Sequence, residues 1–256
     1  MKKAIFAGSR LKIVRARRHA EELASEIEKY VSRDPFAAFV ERDKVTGKAN
    51  YTWRGREDIP EELSAIFGDA IHNLRTSLDI LANDLVASSG VTATKVYFPF
   101  SDSEEGLTSQ INSKMKGASK DIIDIVRSFR PYRGGNEILR AMHDLDIKDK
   151  HVSILTAHAA ISIFPKFKRI ANTNPAAPIS YEADFEGTPT VVIDMTGFLI
   201  PDNIEVVGKV RDSGPIVLVI APGFPLAGSP VIRTLEEMIS MTESVVDAFE
   251  THCVGS

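Results

Sequence analysis

The 256-residue chain holds one cysteine, Cys253, so neither an intrachain disulfide nor a cysteine metal cluster can form. A reducing compartment suits such a chain, and a cytoplasmic protein is expected. No stretch approaches the roughly 18 consecutive apolar residues of a membrane span, so no membrane partner is expected. The opening Met1-Lys2-Lys3-Ala4-Ile5-Phe6-Ala7-Gly8 is basic, but its apolar run stops at Ser9-Arg10, short of the roughly 7–15 residues of a secretory core. It reads as a retained segment. Ile5-Phe6-Ala7-Gly8-Ser9-Arg10 also looks like the start of a nucleotide-binding α/β unit, yet no Gly-x-Gly-x-x-Gly or Gly-Lys-Ser/Thr follows. Charge of one sign is lacking overall: 31 Lys and Arg stand against 35 Asp and Glu, a net −4, which recommends no polyanionic partner for the chain as a whole. The charge is unevenly placed, for residues 1–20 hold seven basic and no acidic groups.

What is present is ordinary globular material, 43% apolar and 26% charged, enough to bury a core in one large domain or two small ones. Ile13, Ala16, Ala20, Leu23, Ile27 and Tyr30 follow the three-and-four spacing of an amphipathic helix over about residues 10–32. Residues 36–54 carry two apolar runs around Asp43-Lys44-Val45-Thr46-Gly47-Lys48 and read as a β-hairpin. A helix starts after Pro60, with Glu61 and Glu62 in its first turn, and runs to about Ser88. Shorter helices are expected over about 105–116, 119–129 and 136–150. From His151 the runs Ala159-Ile161-Ile163, Val191-Val192-Ile193-Asp194-Met195, Ile204–Val210 and Ile216–Ile220 alternate with Pro and Gly clusters and read as strands. A closing helix begins at Val231 and could pack on either part. The expected class is therefore α+β: a helical bundle with an inserted hairpin (1–150), then an antiparallel β-sheet and a C-terminal helix (151–256).

Between Leu63 and Thr94 there is no Lys and no Glu. Leu63, Phe67, Ala70, Leu74, Leu78, Leu81 and Leu85 form one apolar seam, while Gly68, His72, Arg75, Asp79, Ala82 and Val86 share another arc. That pattern describes a helix covered on two sides with a polar cluster inside it, and buried charges must be paired. Arg75 and Asp79, at i and i+4, can form a structural ion pair. Alternatively, His72, Arg75 and Asp79 belong to a pocket where they tune one another's proton affinity. A second constellation ends the helix at 136–150: His143, Asp146 and Lys150 share a face, with His151 beside them, although basic groups there also suit the helix dipole. His72, Arg75, Asp79, His143, Asp146, Lys150 and His151 are the candidate site residues. Asp69-x-x-His72 and His143-x-x-Asp146 would offer a metal an i, i+3 pair from each of two helices, but Glu-x-x-His is absent, and no metal or cofactor is expected. Lys114, Lys116, Lys120, Arg127, Arg130 and Arg133, with Lys166, Lys168 and Arg169, could form a patch for RNA, or simply solvated faces.

The run Gly68-Asp69-Ala70-Ile71-His72-Asn73-Leu74-Arg75-Thr76-Ser77-Leu78-Asp79, with Tyr97-Phe98-Pro99, Arg130-Pro131-Tyr132 and Asp149-Lys150-His151, resembles a group of uncharacterised bacterial proteins. More distantly the chain is similar to the HEPN superfamily, helical proteins in which Arg-x(4–6)-His on a helix serves metal-independent RNA cleavage at a dimer interface. Arg75 matches the arginine, while Ile80, Leu81 and Ala82 stand where the histidine belongs. The resemblance implies an RNA- or nucleotide-directed homodimer with weak or absent nuclease activity centred on Arg75. Any chemistry would be 2′-hydroxyl attack assisted by a histidine, with Arg75 or Lys150 stabilising the phosphorane. The other reading of the residues is a non-enzymatic homo-oligomeric or small-ligand-binding protein whose polar cluster is structural.

Overall fold

The computed structural model describes residues 5–33, 35–45, 49–55, 57–91, 94–151 and 216–255, with the backbone segments 157–162, 165–169, 181–185, 190–192 and 204–209. Side chains are described for 5–33, 35, 44–45, 57–91, 94–148 and 217–253.

Among the described residues six helices carry the body: α1 (Ala7–Ser32), α2 (Glu61–Ser88), α3 (Glu104–Lys114), α4 (Lys120–Ser128), α5 (Glu137–His151) and α6 (Val231–Gly255). Among the described residues none is long and apolar enough to cross a membrane. Local chemistry sets several ends. Ser103 Oγ accepts from Gly106 N (3.2 Å) to cap α3, and Asn136 Oδ1 accepts from Leu139 N (3.0 Å) at the start of α5. Past α2, Gly90 takes a φ of +76°, which glycine adopts without a Cβ penalty.

Helix α2 is the axis of the core. Every residue of its apolar seam, Leu63, Phe67, Ala70, Leu74, Leu78, Leu81 and Leu85, is buried. Its second arc is covered except at His72, which is exposed, with Gly68, Arg75, Ala82 and Val86 buried and Asp79 half-buried. Helix α1 lies close against it. A Cβ on Gly8 would stand 3.0 Å from Ile80 Cγ2, and Ser77 Oγ donates to the Ser9 carbonyl at 2.9 Å. The run from Ala7 to Arg10 is the first turn of that helix, with Phe6 buried beneath it. Helix α6 packs on α1, α2 and α5, and Leu235, Met238, Val245, Val246 and Phe249 enter the same core.

Among the described residues the backbone also holds eight strand segments: β1 (Phe36–Asp43), β2 (Ala49–Gly55), β3 (Ala157–Ser162), β4 (Pro165–Arg169), β5 (Tyr181–Phe185), β6 (Thr190–Val192), β7 (Ile204–Lys209) and β8 (Ile216–Ile220). β1 pairs antiparallel with β2 and β7, β3 with β6 and β8, and β4 with β5. β8, the one strand with described side chains (217–220), sends Leu218 and Ile220 into the core. The expected α+β class, with an antiparallel sheet as a major layer, is thereby corrected: the structure is mostly helical, and a single strand joins the helical body. The physical reason is where burial occurs. The strand runs are short, three to eight residues, and among the described side chains the helices supply nearly all of the core.

Candidate functional site

The site is organised by α2, α5 and the extended segment 96–102 between them in sequence. Asp79 Oδ1 accepts the backbone N–H of Phe98 at 2.9 Å, and one turn later Asn83 Nδ2 donates to the Val96 carbonyl at 2.9 Å. These two side chains grip the segment along α2. Its far end is held from α5, where Arg140 Nη1 donates to the Ser101 carbonyl at 2.9 Å. Ser101 N also donates to the Pro131 carbonyl at 3.0 Å. Phe98 and Phe100 are thus carried inward, and Tyr97 is left partly exposed.

Across the α2–α5 interface the candidate residues form two rungs. Arg75 Nε donates to His143 Nδ1 at 3.2 Å, and His72 Nδ1 donates to Asp146 Oδ1 at 2.9 Å. Moving up α2 from 72 to 75 moves down α5 from 146 to 143, so the helices run antiparallel here. Arg75 is buried and its Nη1 pairs with Asp79 Oδ1. Phe100 fills the space beside both partners of that rung: the Arg75 Cζ lies 4.7 Å from its ring centre, and the His143 ring stacks on it at 4.4 Å and 5°.

His143 is an acceptor at Nδ1, which puts its proton on Nε2. Burial, followed by the nearby charges of Arg75 and Arg140, pushes its pKa down to about 4. The imidazole is neutral at pH 7. His72 is its opposite in exposure, with half of its side chain in solvent, whereas Asp146 beneath it is buried. The other polar contact of His72 among the described residues is a long one, 3.5 Å from Nε2 to Thr76 Oγ1.

Around Arg75, His143 and Phe100 lies a half-open cavity of about 430 Å³, lined also by Tyr97, Phe98, Lys114 and Arg140. Lys114 Nζ sits 5.4 Å from the Tyr97 ring centre. Arg140 is buried, donates through Nη2 to Asp102 Oδ1 (3.0 Å) and Asp144 Oδ1 (2.7 Å), and keeps a buried Nε without a hydrogen-bond partner among the described residues.

Of the candidates, Arg75, Asp79 and His143 converge, His72 meets Asp146 on the neighbouring rung, and Lys150 and His151 lie on α5 with side chains outside the described residues. The side chains of Lys166, Lys168 and Arg169 are outside them as well. The sequence does not single out Phe100 or Arg140, and it offers Lys114 only as part of a basic patch, not beside Arg75. Arg140 carried a signal, since Arg140-x-x-x-Asp144 is an i, i+4 pair one turn before the His143 face. Phe100 carried none, because its place depends on how 96–102 crosses the helices. Among the described residues no group of three or more His, Cys, Asp or Glu could hold a metal ion, and Asp69 stands exposed, apart from the rungs. No protein-family model, no curated protein and no solved structure matches the chain.

Proposed function

We propose that the cavity beside Arg75 binds a nucleotide, free or at the end of an RNA strand. The protein is then an RNA- or nucleotide-directed one, HEPN-like in kind, with weak or absent nuclease activity. One observation carries this reading: three cations, Arg75, Arg140 and Lys114, share a cavity with the rings of Tyr97, Phe98 and Phe100. Cations serve a phosphate and rings serve a base, and neither group alone would select a nucleotide.

The weak chemistry follows from His143. It is the histidine in contact with Arg75, but its Nδ1 is occupied by the guanidinium and its pKa is held at about 4. At neutral pH such an imidazole is a poor proton acceptor and is almost never protonated, so it suits neither half of an acid–base reaction. It can still donate from Nε2 to a ligand oxygen.

The test is a titration of adenosine monophosphate and a labelled single-stranded RNA into the full chain, with RNA integrity followed by electrophoresis. Saturable nucleotide binding, weakened by Lys114→Ala and abolished by Arg75→Ala, is the expected result, with the RNA left largely intact. Binding unaffected by either substitution in a folded protein overturns the reading. A second reading has its own support: Arg75 is paired with Asp79, and Arg140 with Asp144, so the buried charges are already compensated internally. In that case the cluster only fixes helix packing, nucleotides do not bind, and Arg75→Ala reduces stability alone.

A further inference from the structure

Helix α1 sorts its cations onto two sides. Arg10 pairs with Asp247 and with Glu250 (2.6 Å), and Arg17 with Glu243 (2.6 Å), all on α6. Lys12, Arg15 and Arg18 instead line a groove of about 570 Å³ between α1 and α2, floored by His72 and Asn73. Among the described residues Arg15 and Arg18 have no ion pair, and Lys12 donates only to Asn73 Oδ1 at 3.3 Å. Asp69 is the one carboxylate lining this groove among the described residues. The acidic face that neutralises half of the helix is therefore missing from the other half. Three cations against one carboxylate, gathered in a concavity, concentrate positive potential there.

We propose that this groove binds a single-stranded phosphodiester chain. At about 1.5 Å per residue, Lys12 to Arg18 spans about 9 Å, and their long side chains fan beyond that, giving room for two or three successive phosphates of a strand. The floor supplies hydrogen bonds. His72, its ring held through Nδ1 by the buried Asp146, exposes its other side to the groove, and Asn73 is anchored by donating to the Asp69 carbonyl at 2.8 Å. A lipid surface fits less well, because the cations line a hollow and only Leu11 and Val14 stand out among large apolar side chains of α1. The inference goes beyond the nucleotide reading of the Arg75 cavity and rests on different residues.

The experiment measures anisotropy of labelled twelve-nucleotide oligouridine and oligothymidine with the full chain at 50 and 200 mM salt. Two or three neutralised phosphates give an affinity that falls about 7- to 20-fold between those concentrations. The triple variant Lys12→Gln, Arg15→Gln, Arg18→Gln should lose most of that salt dependence and at least about tenfold in affinity at low salt. Preference for either strand, or none, supports the proposal and identifies the strand. If the triple variant fails to fold, Arg18→Gln alone should lower the log–log salt slope by about 0.7. Adenosine monophosphate binding should be unchanged in these variants, so the two readings fail separately. Salt-insensitive binding, an unaffected variant, no binding of either strand, or binding only to phosphatidylserine vesicles overturns the proposal.

Discussion

Two histidines face charged residues across the same pair of helices, one turn apart, and their surroundings are opposite. His143 is enclosed by Phe100 and Arg75, accepts a hydrogen bond, and is held neutral. His72 is half in solvent and donates to a carboxylate that is itself buried. The residue type is the same, and the environment decides what each ring can do. Position 143 lies under the 96–102 segment, which removes water and brings a ring against the imidazole, whereas position 72 opens on the α1 groove.

The sharpest way to break this contrast is at Arg75. Arg75→Ala leaves the half-buried Asp79 without its guanidinium and His143 without its donor, and stability should fall by about 3–5 kcal/mol in urea unfolding. A loss below about 1 kcal/mol would mean that the pair behaves as a surface one. Next is pH. The folded pKa of His143 lies at about 4, below the ordinary 6.5, so the unfolded chain takes up a proton first as the solution is acidified. Stability contributed by this group is complete above pH 6.5 and is lost as pH falls towards 4, by about 3 kcal/mol. The stability difference between wild type and His143→Gln, measured at pH 7 and again at pH 4.5, should shrink accordingly. A difference that stays constant would place the ring in water.

Phe100→Leu keeps the apolar volume but removes the stack and the cation–π contact. It should cost about 1–2 kcal/mol and raise the pKa of His143 as the cover loosens, read from imidazole shifts. The smallest effect is expected at the open rung: His72→Ala should cost less than about 1 kcal/mol, because half of that side chain is already solvated. A larger loss would show that the dyad, and not the Arg75 rung, is the structural joint between α2 and α5.

Helix α2 was legible because its chemistry is periodic. The seam from Leu63 to Leu85, the charge-poor opposite arc and the Arg75-Asp79 spacing are all local, and local spacing on a helix maps directly onto faces. The same spacing could not distinguish which histidine meets Arg75, since His72 and His143 both lie at plausible positions and the choice depends on the register between α2 and α5. Nor could it place Phe100, which is brought in by Asp79, Asn83 and Arg140 acting on backbone groups of 96–102. The fold class was misread for a related reason. Alternating apolar runs announce strands, but whether strands form a main layer depends on packing that the runs do not encode, and among the described side chains the helices hold most of the core.

We propose that the covered rung, and not the open one, receives the nucleotide. It is tested by following the ring signals of both histidines while adenosine monophosphate is added at pH 7. A saturable shift of His143, with His72 unmoved, is the predicted result. His143 unmoved at nucleotide concentrations that saturate any other change, or a shift confined to His72, would contradict it.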